Sequence, residues 1–300
     1  MLTLADVQRV YAACKSLRGG KNATYIPALA DVDPTLFAIS ICHVDGTVWN
    51  VGDYTTLVAI ESVSKVFNLA HVVEQLGEAV VRRKIGAEKS TRAFNSLTAI
   101  KESRTHTLNS FTNGGAMATL SLVYRRNQKE FKSDLDANLN AFAGRKLKVD
   151  TTVFHSEITH LERNLTIAFL LEGFQRFYGD VRQTVALYTH LCSKKVTTAD
   201  LAVMAATLAN GGVQPHTKER VVPASCVTYV LAQMRLNGMY QESDSWWQQV
   251  KYPGKGGVSG VIIIVVPGLF GVAILAPPLN RYGNSFKGTK AAYQLAPYLR

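Results

Sequence analysis

The longest apolar stretch of the chain, Val258 to Leu279, leaves few folds to choose from, because that much hydrophobic sequence must be buried in a membrane or in a protein core. Pro267-Gly268 interrupts it, and Gly260, Gly271 and Pro277-Pro278 punctuate it, so it does not read as one spanning helix. The pattern predicts two buried strands, Val261 to Val266 and Phe270 to Ala276, joined by a tight turn. Proline presets φ at the second position of such a turn and glycine accepts the positive φ of the third. No membrane partner is expected.

A second β pattern lies near the other end of the chain. Leu36 to Cys42 alternates and then runs apolar before Asp45-Gly46, and Thr47 to Val51 resumes the pattern ahead of Gly52-Asp53, which predicts a hairpin. Between the two β regions helical spacing dominates. Residues 1–17 place Leu4, Val7, Val10, Tyr11, Cys14 and Leu17 on one helical face, an amphipathic helix and not a signal peptide. Ser62 to Leu76 reads as a helix stopped by Gly77, and Ala116 to Tyr124, Glu162 to Tyr178, Val181 to Cys192 and Ala199 to Ala209 are the clearest helices after it. The expected fold class is α+β, with an antiparallel sheet built from both chain ends and a mainly helical insertion between them. The 300 residues are read as one domain, with 1–61 plus 211–300 containing the sheet and 62–210 mainly helical.

Composition narrows the function classes. The 47% hydrophobic content fills a substantial core. The net charge of +11 raises the question of nucleic acid, but Arg82-Arg83-Lys84, Arg125-Arg126 and Lys194-Lys195 are short and scattered, with no accompanying motif, so no specific nucleic-acid partner is expected. Cys14, Cys42, Cys192 and Cys226 are widely dispersed and read as reduced thiols of a cytoplasmic protein. Without an export signal, Asn22-Ala23-Thr24 and Asn164-Leu165-Thr166 carry no weight as glycosylation acceptors. No Cys/His spacing suits zinc, the seven histidines form no His-Glu-x-x-His pair and no glycine loop cradles phosphate, so neither metal nor organic cofactor is expected.

The chemistry is carried by Glu61-Ser62-Val63-Ser64-Lys65. Ser-x-x-Lys at a helix start puts a hydroxyl and an ammonium on one face at i and i+3. A serine hydroxyl is a poor nucleophile until a base takes its proton, and a lysine does so only when burial and positive neighbours lower its pKa. Alone, the motif more readily describes an ordinary helix start with Ser62 as cap and Lys65 solvated. It is strengthened by Lys255-Gly256-Gly257-Val258 directly before the strand at Val261, where glycines let backbone N–H groups approach a substrate and the amides of Ser62 and Val258 form an oxyanion hole.

Further segments extend the pattern: residues 20–27 (GKNATYIP), Asn113-Gly114-Gly115-Ala116, Ser156-Glu157, Arg163-Asn164, Tyr188 through Cys192-Ser193, Asn210-Gly211-Gly212-Val213, Asn237-Gly238-Met239-Tyr240 and Asn284-Ser285. With these, nearly end to end, the chain resembles the bacterial type of serine-dependent glutaminase, a family with the β-lactamase/transpeptidase-like fold. The resemblance implies hydrolysis of L-glutamine to L-glutamate and ammonia through a glutamyl ester on Ser62, with Lys65 and Tyr188 moving the proton. It implies that Glu157 pairs with the substrate's α-ammonium, that Asn113, Asn164 and Tyr240 hydrogen-bond the rest, that Tyr25 closes the pocket, and that the protein is a homo-oligomer, dimer or tetramer. Glu61 stands where many members have glutamine, a change that some bacterial relatives share and that is not read as disabling, and three further departures stand out. Gly256 replaces the family's usual serine, Gly114 replaces alanine in what is expected to be the loop presenting Asn113, and Ser110-Phe111 replaces Pro-Met. They keep open a second reading, a catalytically weakened or silent relative that binds a ligand or serves as a scaffold.

Overall fold

A computed structural model of the chain describes residues 2–90, 92–103 and 106–300. The hairpin expected near the N-terminus is β1 (Ala38–His43) and β2 (Val48–Gly52), and the long apolar stretch is β6 (Val261–Val266) and β7 (Phe270–Leu275). Gly268 has φ 76° and the Leu269 amide donates to the Val266 carbonyl at 3.1 Å, the tight turn that Pro267-Gly268 predicts. One antiparallel sheet forms in the order β2-β1-β7-β6-β5, where β5 (Gly254–Gly257) is the edge strand. Two-residue strands β3 (Val58–Ala59) and β4 (Lys195–Val196) pair separately.

The helices lie as the sequence suggests, with shifted ends. Helix α1 (Leu4–Lys15) is started by a capping box between Thr3 and Asp6; Met1, with which the expected helix begins, lies outside the described residues. After the short α2 (Pro27–Ala30), the segment around Ser62 departs from expectation. Glu61–Val63 form a 3-10 turn and α3 (Ser64–Leu76) begins two residues later than predicted, ending at Gly77 with φ 80°. Then come α4 (Glu78–Ile85), α5 (Leu97–Glu102) and α6 (Asn113–Ser121). The last begins three residues before the expected Ala116 because Thr112 caps it, its hydroxyl accepting from the Gly115 amide. Asn113 therefore stands on the first turn of a capped helix and not in a loop.

Beyond α7 (Gln128–Ala143) and α8 (Thr151–Ile158), the helix expected over Glu162 to Tyr178 stops early, as α9 (Glu162–Gly173). Gln175 takes a left-handed φ of 58°, and Arg176 turns back to donate to the Ser103 carbonyl at 2.7 Å, a contact a continuing helix would not make. α10 (Val181–Cys192) and α11 (Thr198–Ala209) match their predicted spans to within one residue, and α12 (Ala224–Asn237), α13 (Ser243–Val250) and α14 (Phe286–Leu295) complete the chain.

Both faces of the sheet are covered, which is why its central strands are continuously apolar and not alternating. Val261, Ile263, Val265, Ala273 and Leu275 face the helical core, while Ile262, Ile264, Val266, Val272 and Ile274 face α1, α14 and Trp246. α11, apolar nearly all round, lies directly on β7, β1 and β6. Gly271 is required there, because a Cβ would come within 2.2 Å of the Ala206 amide nitrogen. This is the expected α+β arrangement, β-lactamase/transpeptidase-like, with a sheet from both chain ends.

Candidate active site

Ser62 sits in a 3-10 turn clamped between β5 and the small β3–β4 sheet. The Ile60 amide donates to the Lys194 carbonyl at 2.8 Å, the Ser64 hydroxyl to the Glu61 carbonyl at 2.7 Å, and the Ser259 hydroxyl to the Ala59 carbonyl at 2.6 Å. The third of these ties the turn after Val258 to the strand before Ser62. Glu61 carries a left-handed φ of 51°, which costs a non-glycine residue of order 1–3 kcal/mol and persists only where its surroundings enforce it. Neither alternative role for the motif holds. Ser62 caps no helix, and Lys65 is 2% exposed.

Lys65 points from α3 toward the start of α6. Its Nζ donates to Asn113 Oδ1 at 2.7 Å and to the Phe111 carbonyl at 3.2 Å. Burial disfavours its charged form and brings its pKa down to about 8. Tyr188, on α10, does not hydrogen-bond Lys65; its hydroxyl donates to the same Asn113 Oδ1 at 3.4 Å, and the ammonium stands 5.8 Å from its ring centre. Burial holds the Tyr188 phenol well above its ordinary value. Asn113 completes the set by donating from Nδ2 to Asn164 Oδ1, on α9, at 3.1 Å.

A second ammonium–phenol pair is buried on β5. Lys255, fully buried on β5, donates to the Tyr240 hydroxyl at 3.0 Å and to the Gly256 carbonyl at 2.6 Å. Burial, then the charge of Lys65, holds its pKa well below the ordinary lysine value. Tyr240 also has a left-handed φ, 55°, its ring lies 4.9 Å from that of Phe94, and its phenol, held above its ordinary value by burial, donates to the Gly256 carbonyl at 3.4 Å.

These groups open on a cavity of about 100 Å³, lined among others by Ser62, Glu61, Asn113, Glu157, Asn164, Tyr188, Tyr25 and Val258. Every residue expected at the site except Lys65 and Tyr240 lines it, and those two lie directly behind Asn113 and Ser62. Tyr25 is 56% exposed as a residue, yet its phenol end faces Glu61, Tyr240 and Glu157, and burial there raises its pKa. Burial likewise brings Glu157 up to about 7, with a hydrogen bond from Glu61 acting against it. The residues not anticipated are Glu61, Phe94, His160, Arg163 and Cys192 on the cavity wall and Lys255 as partner of Tyr240. Arg163 and Cys192 lie beside residues that the sequence points to, and Glu61 directly precedes Ser62; Phe94 and His160 have no local sequence signal. A larger cleft of about 910 Å³ shares Tyr25, Phe94 and Val258 with this cavity but holds neither Ser62 nor Lys65. Among the described residues no group of three or more His, Cys, Asp or Glu is placed to hold a metal, and no helix is long and apolar enough to cross a membrane.

The family model for glutaminase matches residues 20–300. The chain belongs to the glutaminase family. The glutaminase of Colwellia psychrerythraea is 44% identical over 280 residues, covering 93% of this chain and 90% of that protein, and the glutaminase of Mycobacterium ulcerans is 41% identical over 286 residues, covering 95% and 89%. Among solved structures, the probable glutaminase ybaS superposes with a TM-score of 0.96 at 39% identity, over 99% of this chain and 96% of that one. The glutaminase family is one of amide hydrolases, so the chain is an enzyme.

Proposed function

We propose that this glutaminase hydrolyses L-glutamine through an acyl-enzyme on Ser62. The carrying observation is that Ser62 and the buried carboxyl of Glu157 line one small cavity, while Lys65, its pKa brought down to about 8, stands directly behind the cavity wall on Asn113. Neutral Lys65 takes the Ser62 proton as Oγ attacks the side-chain amide carbon, and the C–N bond breaks as that proton passes to the leaving nitrogen, releasing ammonia. Water then cleaves the ester, freeing glutamate and returning the proton to Oγ. The amides of Ser62 and Val258 face the developing oxyanion; Ser62 lies in the opening turn of a helical segment, where N–H groups lack internal partners.

Tyr188 assists Lys65 through Asn113, Glu157 takes the α-ammonium, Asn113, Asn164 and Tyr240 bond the remaining polar groups, and Tyr25 closes the mouth. We further propose that the chain works as one domain, because Ser62, Lys65 and Tyr188 come from 62–210 while Tyr25, Tyr240 and Val258 come from 1–61 and 211–300, and that it works in the cytoplasm, where its four buried thiols stay reduced. Purified protein is expected to release glutamate and ammonia one for one from L-glutamine, to turn over L-asparagine poorly, and to lose turnover on Ser62→Ala. A folded wild type with no turnover at any pH moves the assignment to a silent, ligand-binding relative.

A further inference from the structure

Glu61 has no part in the mechanism above, yet it is 3% exposed, one residue from the nucleophile, and its side chain enters the same cavity as Glu157. Glu61 Oε1 and Glu157 Oε1 are both buried in this one small cavity and neither receives a donor among the described residues, so a proton held between the two carboxyl groups is the donor they lack. Burial, then the neighbouring charge of Glu157, raises the Glu61 carboxyl well above its ordinary value. Two facing carboxylates out of water do not both ionise, and one proton shared between them is the stable arrangement. The backbone is built to deliver this contact. Glu61 is held at positive φ by its neighbours' hydrogen bonds, and Gly257 leaves room beside it, since a Cβ there would lie 3.4 Å from Glu61 Cβ and 3.1 Å from the Ile60 carbonyl oxygen.

The other ionisable groups around the pair are accounted for. Lys65 contributes positive charge from α3 but donates to Asn113 and Phe111; Tyr25, Tyr188, Tyr240 and Cys192 are neutral neighbours whose protons burial retains. Arg163 donates from Nε and Nη2 to the Asn95 carbonyl, and His160 Nδ1 lies 2.8 Å from the Ser156 carbonyl oxygen. Lys255 is spent on Tyr240 and Gly256.

We propose that Glu61 is a positioning residue for substrate recognition: its carboxyl carries the one proton of the pair and donates it to Glu157, leaving Glu157 as the single negative charge that receives the α-ammonium of a free amino-acid amide. The proposal rests on the reading of Glu157 given above. It makes the pocket selective for free amino acids, since an N-acylated or peptide-bound glutamine brings no cation to a charge that has been set for one.

The test measures L-glutamine binding by calorimetry in a Ser62→Ala background across the pH range that brackets neutrality, for Glu61→Gln, Glu61→Met and Glu157→Gln. Glu61→Met removes the donor, so Glu157 holds its proton to higher pH. Binding is expected to weaken about tenfold near neutrality, with the pH at which it is gained moving upward by about one unit. Glu61→Gln keeps a donor that cannot ionise and is expected to bind within about threefold of the background with its pH midpoint unmoved. With Ser62 restored, Glu61→Met should raise KM more than it lowers kcat. A Glu61→Gln variant impaired as much as Glu61→Met, or a tenfold loss in Glu61→Gln when Glu61→Met does not fold, overturns the proposal, as does a Glu61→Met whose pH midpoint stays in place. If Glu157→Gln binds normally, or if glutaramate, which lacks the α-ammonium, binds as well as glutamine, the ammonium reading fails. Weak binding by Glu157→Gln beside a normal Glu61→Met sinks the carboxyl pair alone.

Discussion

Glu61 and Tyr240 approach Ser62 from two sides, and both hold backbone conformations that their side chains disfavour, so the strain of this site is concentrated where the reacting hydroxyl must be aimed. Lys65 acts as a base only when neutral. With its pKa near 8, kcat/KM for glutamine should rise with pH until about 8 and then level. Lys65→Ala should cost about 10²- to 10⁴-fold in kcat, and Lys65→Arg, which stays charged, should be as poor despite its bulk. Initial rates across pH, with circular dichroism to show folding, decide this. Gly256 offers a second check. A Cβ there would come within 2.4 Å of Asn284 Oδ1, a buried acceptor with no donor, whereas Asn284 Nδ2 is held by Glu242 and the Met239 carbonyl. Gly256→Ser should push the Asn284 amide aside, supply the missing donor and raise kcat/KM about two- to tenfold, equivalent to one hydrogen bond; an unchanged or lower value would show that the glycine is preferred here. Ser62 and Lys65 were legible in the sequence because their spacing is itself chemical. Glu61 and Lys255 stand in the same motifs, but the partners that would give them roles, about 96 and 15 residues away, are reached only by folding.

At the scale of elements, periodicity located the strands and long helices well, and failed where a local contact outweighed it. Thr112 started α6 through its cap although Gly114 and Gly115 are poor helix formers, and Arg176 ended α9 by turning back to the Ser103 carbonyl. β3 and β4 have two residues each and no period to read, yet they fix the turn that holds Ser62. That small sheet depends on an ion-pair cluster at the C-terminal end of α10. Asp136 on α7 meets Lys194 Nζ at 2.7 Å, His190 Nε2 at 2.8 Å and Lys132 Nζ at 2.7 Å. Burial opposes its charge, but the hydrogen bonds from His190, Lys132 and Lys194 prevail and hold its pKa well below the usual carboxylate value. A depressed carboxylate stabilises the fold above its unfolded pKa and loses that contribution as pH falls toward the folded value. Asp136→Asn should therefore lower stability by about 1–3 kcal/mol at neutral pH, and the difference from wild type should shrink on acidification below the ordinary aspartate value. Denaturant melts at several pH values measure both; a constant difference would mean that packing, not charge, is what Asp136 supplies.

For the whole molecule, the sheet from both chain ends was readable because hydrophobic runs bounded by Gly and Pro bracket a helical middle. That α11 lies flat against the sheet was not, since a helix apolar all round shows no face to assign. The homo-oligomer implied by the family likeness remains a proposal. Phe169 and Phe174, on and just after α9, are 41% and 43% exposed, the kind of surface that a second subunit covers. Light scattering is expected to return two or four times the mass of one chain, and Phe169→Ser with Phe174→Ser to lower it; a monomer at all concentrations would remove the expectation.

The pairing of β1 with β7 sets Ala38 opposite Leu275 and puts the strand between the hairpin and the active-site edge among the last segments to leave the ribosome. Until then β1 and β2 have no central sheet to join, and the apolar side of α11 has nothing to lie on. Ser62, Lys65, Glu61 and Glu157 are all synthesised long before β5 arrives beside them. Translation therefore holds Ser62 in an unfinished cleft, and a chain cut short before residue 270 is a client for chaperones and proteases, not a slow enzyme.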